Sequence, residues 1–171
     1  MSLLARLFTS QPDPREALRP LWHRVVELSR EPVLYRDDGV ADSVAGRFDM
    51  IAAILALVML RLERDALARE TALITELFVA DMDGQLREKG VGDMVVGKHV
   101  GRLVSALGGR LGAFREALAS GDGARFDAAL QRNVTLAEGR AIAGLAARLR
   151  GFADKLAALG SDDVLAARIA L

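Results

Sequence analysis

An uninterrupted apolar run near the middle of the chain restricts the fold more than any other feature. The run extends from Met50 to Leu60, between Asp49 and Arg61, and is much shorter than the roughly 20 residues that a membrane-spanning helix requires. On a helix its side chains point in nearly every direction, and a helix that is apolar all round must be enclosed. The run therefore predicts the central helix of a bundle. The alternative is that part of it lines a groove that receives an apolar helix from a partner.

The composition predicts one domain with its own apolar core. Of the 171 residues, 51% are hydrophobic and none is cysteine, so the fold needs no disulfide and has no thiolate metal site. The 23 basic and 23 acidic side chains balance and are interspersed, which does not favour nucleic-acid binding. Because β-branched and aromatic residues are too sparse for convincing strands, the predicted fold class is all-α, a single compact helical bundle.

We divide the chain into an N-terminal segment, residues 1–13, and a single helical domain, residues 14–171. The first residues lack the leading positive charge, the apolar core and the small-residue cleavage site of a secretory signal. We therefore expect a cytoplasmic protein.

Apolar periodicity and turn residues predict about six to seven helices. The expected ranges are 14–30, 44–67, 71–89, 94–119, 124–134, 136–158 and 162–170. Pro32 should end the first helix, and residues 31–42 are predicted to form a loop.

Capping residues mark several of the expected boundaries. Asp42 or Ser43 is suited to cap the second helix, Thr71 the third and Asp93 the fourth. Gly90 suits the left-handed turn at the end of the third helix. The clearest turn in the chain is the small polar run at residues 120–123.

An acid lies within the apolar stripe of the predicted third helix. Asp81 falls near the middle of the stripe that contains Leu77, Phe78 and Met82. An unpaired buried carboxylate costs several kcal/mol, so we expect Asp81 to be buried and paired with a cation. The alternatives are that it faces an opening, as a partner-binding or catalytic acid. Asp83 is expected to be a surface charge.

The predicted fourth helix has a regular apolar stripe and a basic opposite face. Val100, Leu103 and Leu107 belong to the stripe, whereas Lys98 and Arg102 lie four residues apart on the other side. These two bases should point outward, where they are either solvated or part of a polar contact surface.

The residues that support catalysis are few. Two histidines, His23 and His99, and no cysteine provide neither a zinc site nor a nucleophile pair. The Gly-Val-Gly run at residues 90–92 joins two predicted helices and lacks the preceding strand of a phosphate-binding loop. We therefore expect no enzyme activity, no cofactor and no metal.

Two segments resemble the ubiquinol–cytochrome c chaperone family. In the first, an acidic pair (Asp81 and Asp83) precedes an L-R-E-x-G-V-G-D-like turn at residues 86–93, and Lys98 follows. In the second, the residues Arg-Phe-Asp-Met at 47–50 lead into the apolar run, and Arg61-Leu62 follows it. The resemblance covers about residues 33–120, and no organelle-targeting extension precedes it, so the chain is similar to a bacterial form. No motif in residues 120–171 matches the family.

The resemblance implies a non-enzymatic assembly factor with a membrane-protein client. Mitochondrial members look after newly made cytochrome b during assembly of the cytochrome bc1 complex, with a small companion protein. By this resemblance the client would be cytochrome b or an early bc1 intermediate, and membrane association would be peripheral, through that client, at the cytoplasmic face of the inner membrane. The residues expected to bind the partner are Asp81, Leu86, Gly90, Val91, Gly92, Asp93, Lys98 and Arg102. The alternatives are a structural bundle that binds lipid or a hydrophobic helix and an enzyme that uses Asp81.

Overall fold

The described part of the chain folds into helices that pack around one apolar core. The computed structural model describes residues 13–88 and 93–171, except for the side chains of residues 86 and 93–96. In chain order it contains a 3₁₀-helix (Pro14–Leu18), α1 (Arg19–Ser29), α2 (Pro32–Arg36), α3 (Val44–Arg64), α4 (Ala68–Glu88), α5 (Asp93–Ala119), α6 (Gly123–Asn133), α7 (Ala143–Ala158) and α8 (Ser161–Leu165). The prediction of an all-α fold is confirmed.

Helix α3 is the centre of the bundle, as the apolar run predicts. Every residue from 50 to 59 is buried, and α3 packs against α1, α4, α5 and α7. Three alanines, Ala52, Ala53 and Ala56, are fully buried, and their small side chains allow neighbouring helices to approach closely. The larger side chains of Met50, Ile54, Leu55 and Leu62 fill the remaining space.

The start of α3 has the predicted serine cap and requires a glycine one turn later. The hydroxyl oxygen of Ser43 accepts a hydrogen bond from the backbone N–H of Gly46 at 3.1 Å. A Cβ atom at Gly46 would lie 2.0 Å from the carbonyl oxygen of Ala41, so the connector passes over the helix at a distance that only glycine permits. Of the two candidate caps, Ser43 is the one used.

Several predicted boundaries differ from the structure. The predicted helix 14–30 is a 3₁₀-helix followed by α1, the predicted helix 44–67 ends at Arg64, and the predicted helix 162–170 ends at Leu165. Residues 31–42 contain the short helix α2, because Pro32 occupies its first position, where a missing N–H costs no hydrogen bond. Helix α4 begins at Ala68, so Thr71 lies inside it and donates its hydroxyl to the carbonyl of Leu67 at 2.9 Å instead of capping. After the end of α3 at Arg64, the chain turns through Ala66, which has a positive φ of 58°.

The C-terminal third also begins differently from the prediction. Residues 136–142 are not helical, because Ala137 donates to the carbonyl of Gly39 and Ala41 donates to that of Thr135, both at 2.9 Å. The connector between α6 and α7 therefore pairs with the connector before α3. The predicted turn at residues 120–123 is confirmed: Gly121 has a φ of 66°, and Asp122 caps α6 by accepting from Ala124 at 2.9 Å. The predicted helix end at Gly90 lies outside the described residues.

Candidate functional site

Two acids are buried among the described residues, Asp38 and Asp49. Asp38 pairs with Arg148, and Asp49 occupies the last polar position before the apolar run. One carboxylate oxygen accepts a hydrogen bond from Nη2 of Arg110, on α5. The other accepts from the backbone N–H and the hydroxyl of Thr135, at 3.0 and 2.7 Å. Arg110 also donates to the carbonyl of Asn133 at 2.8 Å. This network joins α3, α5 and the connector that follows α6.

The Asp49–Arg110 pair is satisfied within the protein. Burial lowers the pKa of Arg110, and the nearby charge of Asp49 opposes that shift. The guanidinium also lies 5.4 Å from the centre of the Phe48 ring, at cation–π distance. Since both carboxylate oxygens are occupied by protein donors, the pair is structural and offers no free group to a ligand.

Sequence reasoning missed this pair because it assigned the buried acid to Asp81. A signal was present on α5, where Arg110 lies between Leu107 and Phe114 at the spacing of the buried stripe. A guanidinium in such a position requires a buried acceptor. The sequence does not specify that the acceptor lies 61 residues earlier in the chain.

The expectation that Asp81 is buried and paired with a cation is wrong. Its neighbours Leu77, Phe78 and Met82 are buried, so the predicted helix face is correct. Asp81 itself is only half-buried. Among the described residues it forms no ion pair, and its partner is Nε2 of Gln85, which donates at 3.2 Å. Asp81 instead borders a cavity lined by residues of α1 and α4. This agrees with the alternative that Asp81 faces an opening.

This opening, the Asp81 cavity, has a volume of about 590 Å³. Trp22 and Val26 from α1, with Arg30 directly after α1, form one wall, and Asp81 and Gln85 from α4 form the other. Further residues complete its lining, among them Arg15, Arg19, His23, Glu27, Leu77 and Ala80. Since His23, Glu27 and Arg30 are exposed, the cavity opens to solvent.

An apolar cavity of about 290 Å³, the apolar slot, adjoins the Asp81 cavity. The two cavities share Arg30 and Gln85. The floor of the slot is formed by Phe48, Ile51, Met82 and Leu103, and its rim by Val44 and Arg47. Val44 is 72% exposed, the largest exposure among the large hydrophobic side chains of the described residues.

Several arginines around these cavities are neutralised by acids of their own segment. Arg15 pairs with Asp13 at 2.6 Å and lowers the pKa of that carboxyl to about 2. Arg47, on the rim of the slot, pairs with Asp42 at 2.7 Å. Arg30 forms no ion pair within the described part of the chain. It lies where the Asp81 cavity, the apolar slot and a third cavity of about 540 Å³ meet.

The other predicted partner-binding residues lie apart from these cavities or outside the described part. Lys98 and Arg102 are exposed on α5, as expected, but line neither the Asp81 cavity nor the apolar slot. Asp93 begins α5. Its side chain, the side chain of Leu86 and all of Gly90, Val91 and Gly92 lie outside the described residues. Asp83 pairs with Arg87 at 2.8 Å on the surface, as expected.

Residues 13–88 and 93–171 contain neither a candidate metal-binding cluster nor a candidate membrane-spanning helix. No group of three or more histidine, aspartate or glutamate residues is placed to hold a metal ion there. No helix in those ranges combines the length and apolarity needed to cross a membrane.

An all-α domain with an open apolar slot beside charged groups has the form of a helical binding protein. The sequence matches the model of the family described as "Ubiquinol-cytochrome C chaperone" over residues 36–171. The chain belongs to this family, as its resemblance indicates.

A solved structure is similar over nearly the whole chain. It is the crystal structure of the Cbp3 homolog from Brucella abortus, which has a TM-score of 0.79 and 28% sequence identity. The alignment covers 98% of this chain and 96% of the other. No curated protein matches the chain.

The family match has different limits from the resemblance seen in the sequence. It continues to residue 171 and so includes α6, α7 and α8, in which sequence reasoning found no family motif. It begins at residue 36, after α1. The Asp81 cavity therefore combines α4, inside the match, with α1, outside it.

Proposed function

We propose that this protein is a non-enzymatic assembly chaperone for the cytochrome bc1 complex and that it binds newly made cytochrome b or an early assembly intermediate. Membership of the ubiquinol–cytochrome c chaperone family supports the role. The observation that carries the proposal is the apolar slot, because a solvent-facing apolar cavity in a helical domain suits the side chains of a hydrophobic segment. The client is met at the cytoplasmic face of the inner membrane, and association with the membrane is peripheral.

The contact combines an apolar centre with a charged margin. Burial of client side chains against Phe48, Ile51 and Leu103 supplies most of the affinity. Lys98 and Arg102 lie on the same helix as Leu103, and such exposed charges tune the rate and orientation of binding. In this proposal the same margin includes Asp81 and five residues at or between the ends of α4 and α5: Leu86, Gly90, Val91, Gly92 and Asp93. A small companion protein is a further partner in this proposal.

The geometry of the Asp81 cavity favours binding over catalysis. An enzyme would place a general acid or base where water is excluded. Asp81 instead borders an opening lined by exposed side chains, and its partner is an amide. No cofactor is needed for the proposed role.

Deletion of the gene tests the role directly. In the deletion strain, grown where respiration is required, assembled bc1 complex should fall while the other respiratory complexes persist. Blue-native electrophoresis and spectra of cytochromes b and c1 measure both, and the wild-type gene supplied in trans should restore them. Normal bc1 levels in the deletion strain would exclude the assembly role.

Charge reversal tests the proposed margin. Replacement of Lys98 and Arg102 by glutamate should weaken capture of cytochrome b in a pull-down from solubilised membranes, since both side chains are exposed and their loss leaves the core intact. The matched control reverses Arg69 and Arg132, two exposed bases on α4 and α6, and should retain capture. Equal capture by both variants would remove Lys98 and Arg102 from the site.

A further inference from the structure

The Asp81 cavity and the apolar slot are adjacent and together form one candidate binding surface. Arg30 and Gln85 line both, so a ligand segment that crosses these two residues contacts both cavities. One half is lined by charged and amide groups around Asp81. The other half is lined mainly by the apolar side chains of Phe48, Ile51 and Met82.

The charges in this surface are only partly matched. Arg15 and Arg19 are neutralised by Asp13 and Glu16, each at 2.6 Å. Glu27 is paired with Arg24 at 3.1 Å. Within the described part of the chain, Asp81 and Arg30 remain as a carboxylate and a guanidinium without an opposite charge.

A half-buried carboxylate without a cation favours a basic ligand group. Among the described residues, the only side chain that donates to it is the amide of Gln85, whereas a carboxylate has room for several donors. A lysine or arginine side chain that reached it would form a charge-assisted hydrogen bond in a partly desolvated position, where such bonds are stronger than in water.

We propose that this surface binds a segment of the client in which apolar side chains adjoin a lysine or arginine. The apolar side chains enter the slot, and the basic group pairs with Asp81. Arg30, between the two halves, donates hydrogen bonds to a carbonyl or carboxylate oxygen of the same segment. The inference rests on the proposed function and names the chemistry of the client segment.

Membrane proteins carry such segments where their helices leave the bilayer. Loops on the cytoplasmic side are enriched in lysine and arginine directly after the apolar span. An anionic lipid fits less well, because its headgroup would meet the carboxylate of Asp81 as well as Arg30. Helix α1 and Arg30, which directly follows it, precede the family match and form the wall opposite Asp81, so this part of the chain belongs to the recognition surface.

The test compares two labelled peptides. In one, a helical run of leucines ends in lysines, and in the other the lysines are replaced by glutamates. Fluorescence anisotropy with the purified full chain should show about tenfold tighter binding of the lysine peptide, a preference that weakens with salt. Asp81→Asn, which preserves shape but removes the charge, should abolish the preference. Asp83→Asn, two residues away and on the surface, should leave it unchanged.

Other outcomes overturn the inference. Equal binding of the two peptides, binding of neither, or an Asp81→Asn variant that retains the preference would each do so. Binding to phosphatidylglycerol vesicles without any peptide preference would assign the surface to lipid instead. Because the deletion strain tests the assembly role separately, a loss of bc1 complex together with a failed peptide test would refute only this inference.

Discussion

Asp49 and Asp81 lie on neighbouring helices of one bundle, in a closed region and an open region. Asp49 accepts three hydrogen bonds from Arg110 and Thr135. Asp81 accepts one, from Gln85, and borders a cavity of about 590 Å³. A carboxylate whose acceptor sites are filled by the protein holds helices together, whereas one that retains free acceptor sites beside an opening is available to a partner. The same residue type therefore stabilises the fold in one region and, in our proposal, binds the client in the other.

The largest expected effect is on the closed region. Asp49→Ala should lower the free energy of unfolding by about 3–5 kcal/mol, because it leaves the guanidinium of Arg110 buried without its anion. Urea denaturation followed by circular dichroism measures the loss. Asp42→Ala, at an exposed ion pair with Arg47, is the control and should change stability by less than about 1 kcal/mol.

A double variant distinguishes the cost of leaving a buried charge unpaired from the cost of lost packing. Asp49→Leu combined with Arg110→Met removes both charges and should recover much of the stability lost in Asp49→Ala, since replacement of a whole buried pair is often nearly neutral. If the double variant is as unstable as the single one, the network stabilises the fold through its packing and hydrogen-bond geometry more than through the pairing of its charges.

The second effect concerns the connector before α3, which pairs with the connector that carries Thr135. Gly46→Ala should cost about 1–3 kcal/mol, because its Cβ would meet the carbonyl oxygen of Ala41 at 2.0 Å and the backbone must move. Ala41 in turn donates to the carbonyl of Thr135, so the shift should also disturb the Asp49 network. Thermal denaturation measures the cost, with Gly112→Ala as the control, since a Cβ there meets no atom within 4 Å. Equal stabilities of the two variants would contradict the close approach.

Asp49 and Gly46 show which features of the fold could be predicted from the sequence and which could not. The helical class, the enclosed α3 and the Ser43 cap follow from local patterns of apolar residues and caps, and the structure confirms them. The buried pair and the close approach at Gly46 depend on contacts between residues far apart in the chain or between a helix and its connector. The opening beside Asp81 depends on how α1 is placed against α4, which apolar periodicity does not specify.

A third, smaller effect appears only in acid. The hydroxyl of Ser161 donates to Asp65, and this bond, with the charge of Arg61, lowers the pKa of Asp65 below its usual 3.8. A carboxyl whose pKa is lower in the folded state stabilises the fold above its unfolded pKa, and this contribution is lost as the pH falls through the folded value. The melting temperature of the wild type should therefore fall more steeply below about pH 4 than that of Asp65→Asn. Parallel curves would show that Asp65 does not contribute.

The smallest expected effect is at Asp81, and it separates the two regions most sharply. Asp81→Ala should change the free energy of unfolding by no more than about 0.5 kcal/mol, because it removes one hydrogen bond at 3.2 Å from a half-buried amide and breaks no ion pair of the described residues. Urea denaturation of Asp81→Ala beside Asp83→Ala should give nearly equal midpoints, while Asp49→Ala unfolds much earlier. A loss near that of Asp49→Ala would show that Asp81 belongs to the closed region and that its cavity is filled by a cation of this chain. A midpoint close to wild type, together with a lost preference for the lysine peptide, would mean that the carboxylate serves the client and not the fold.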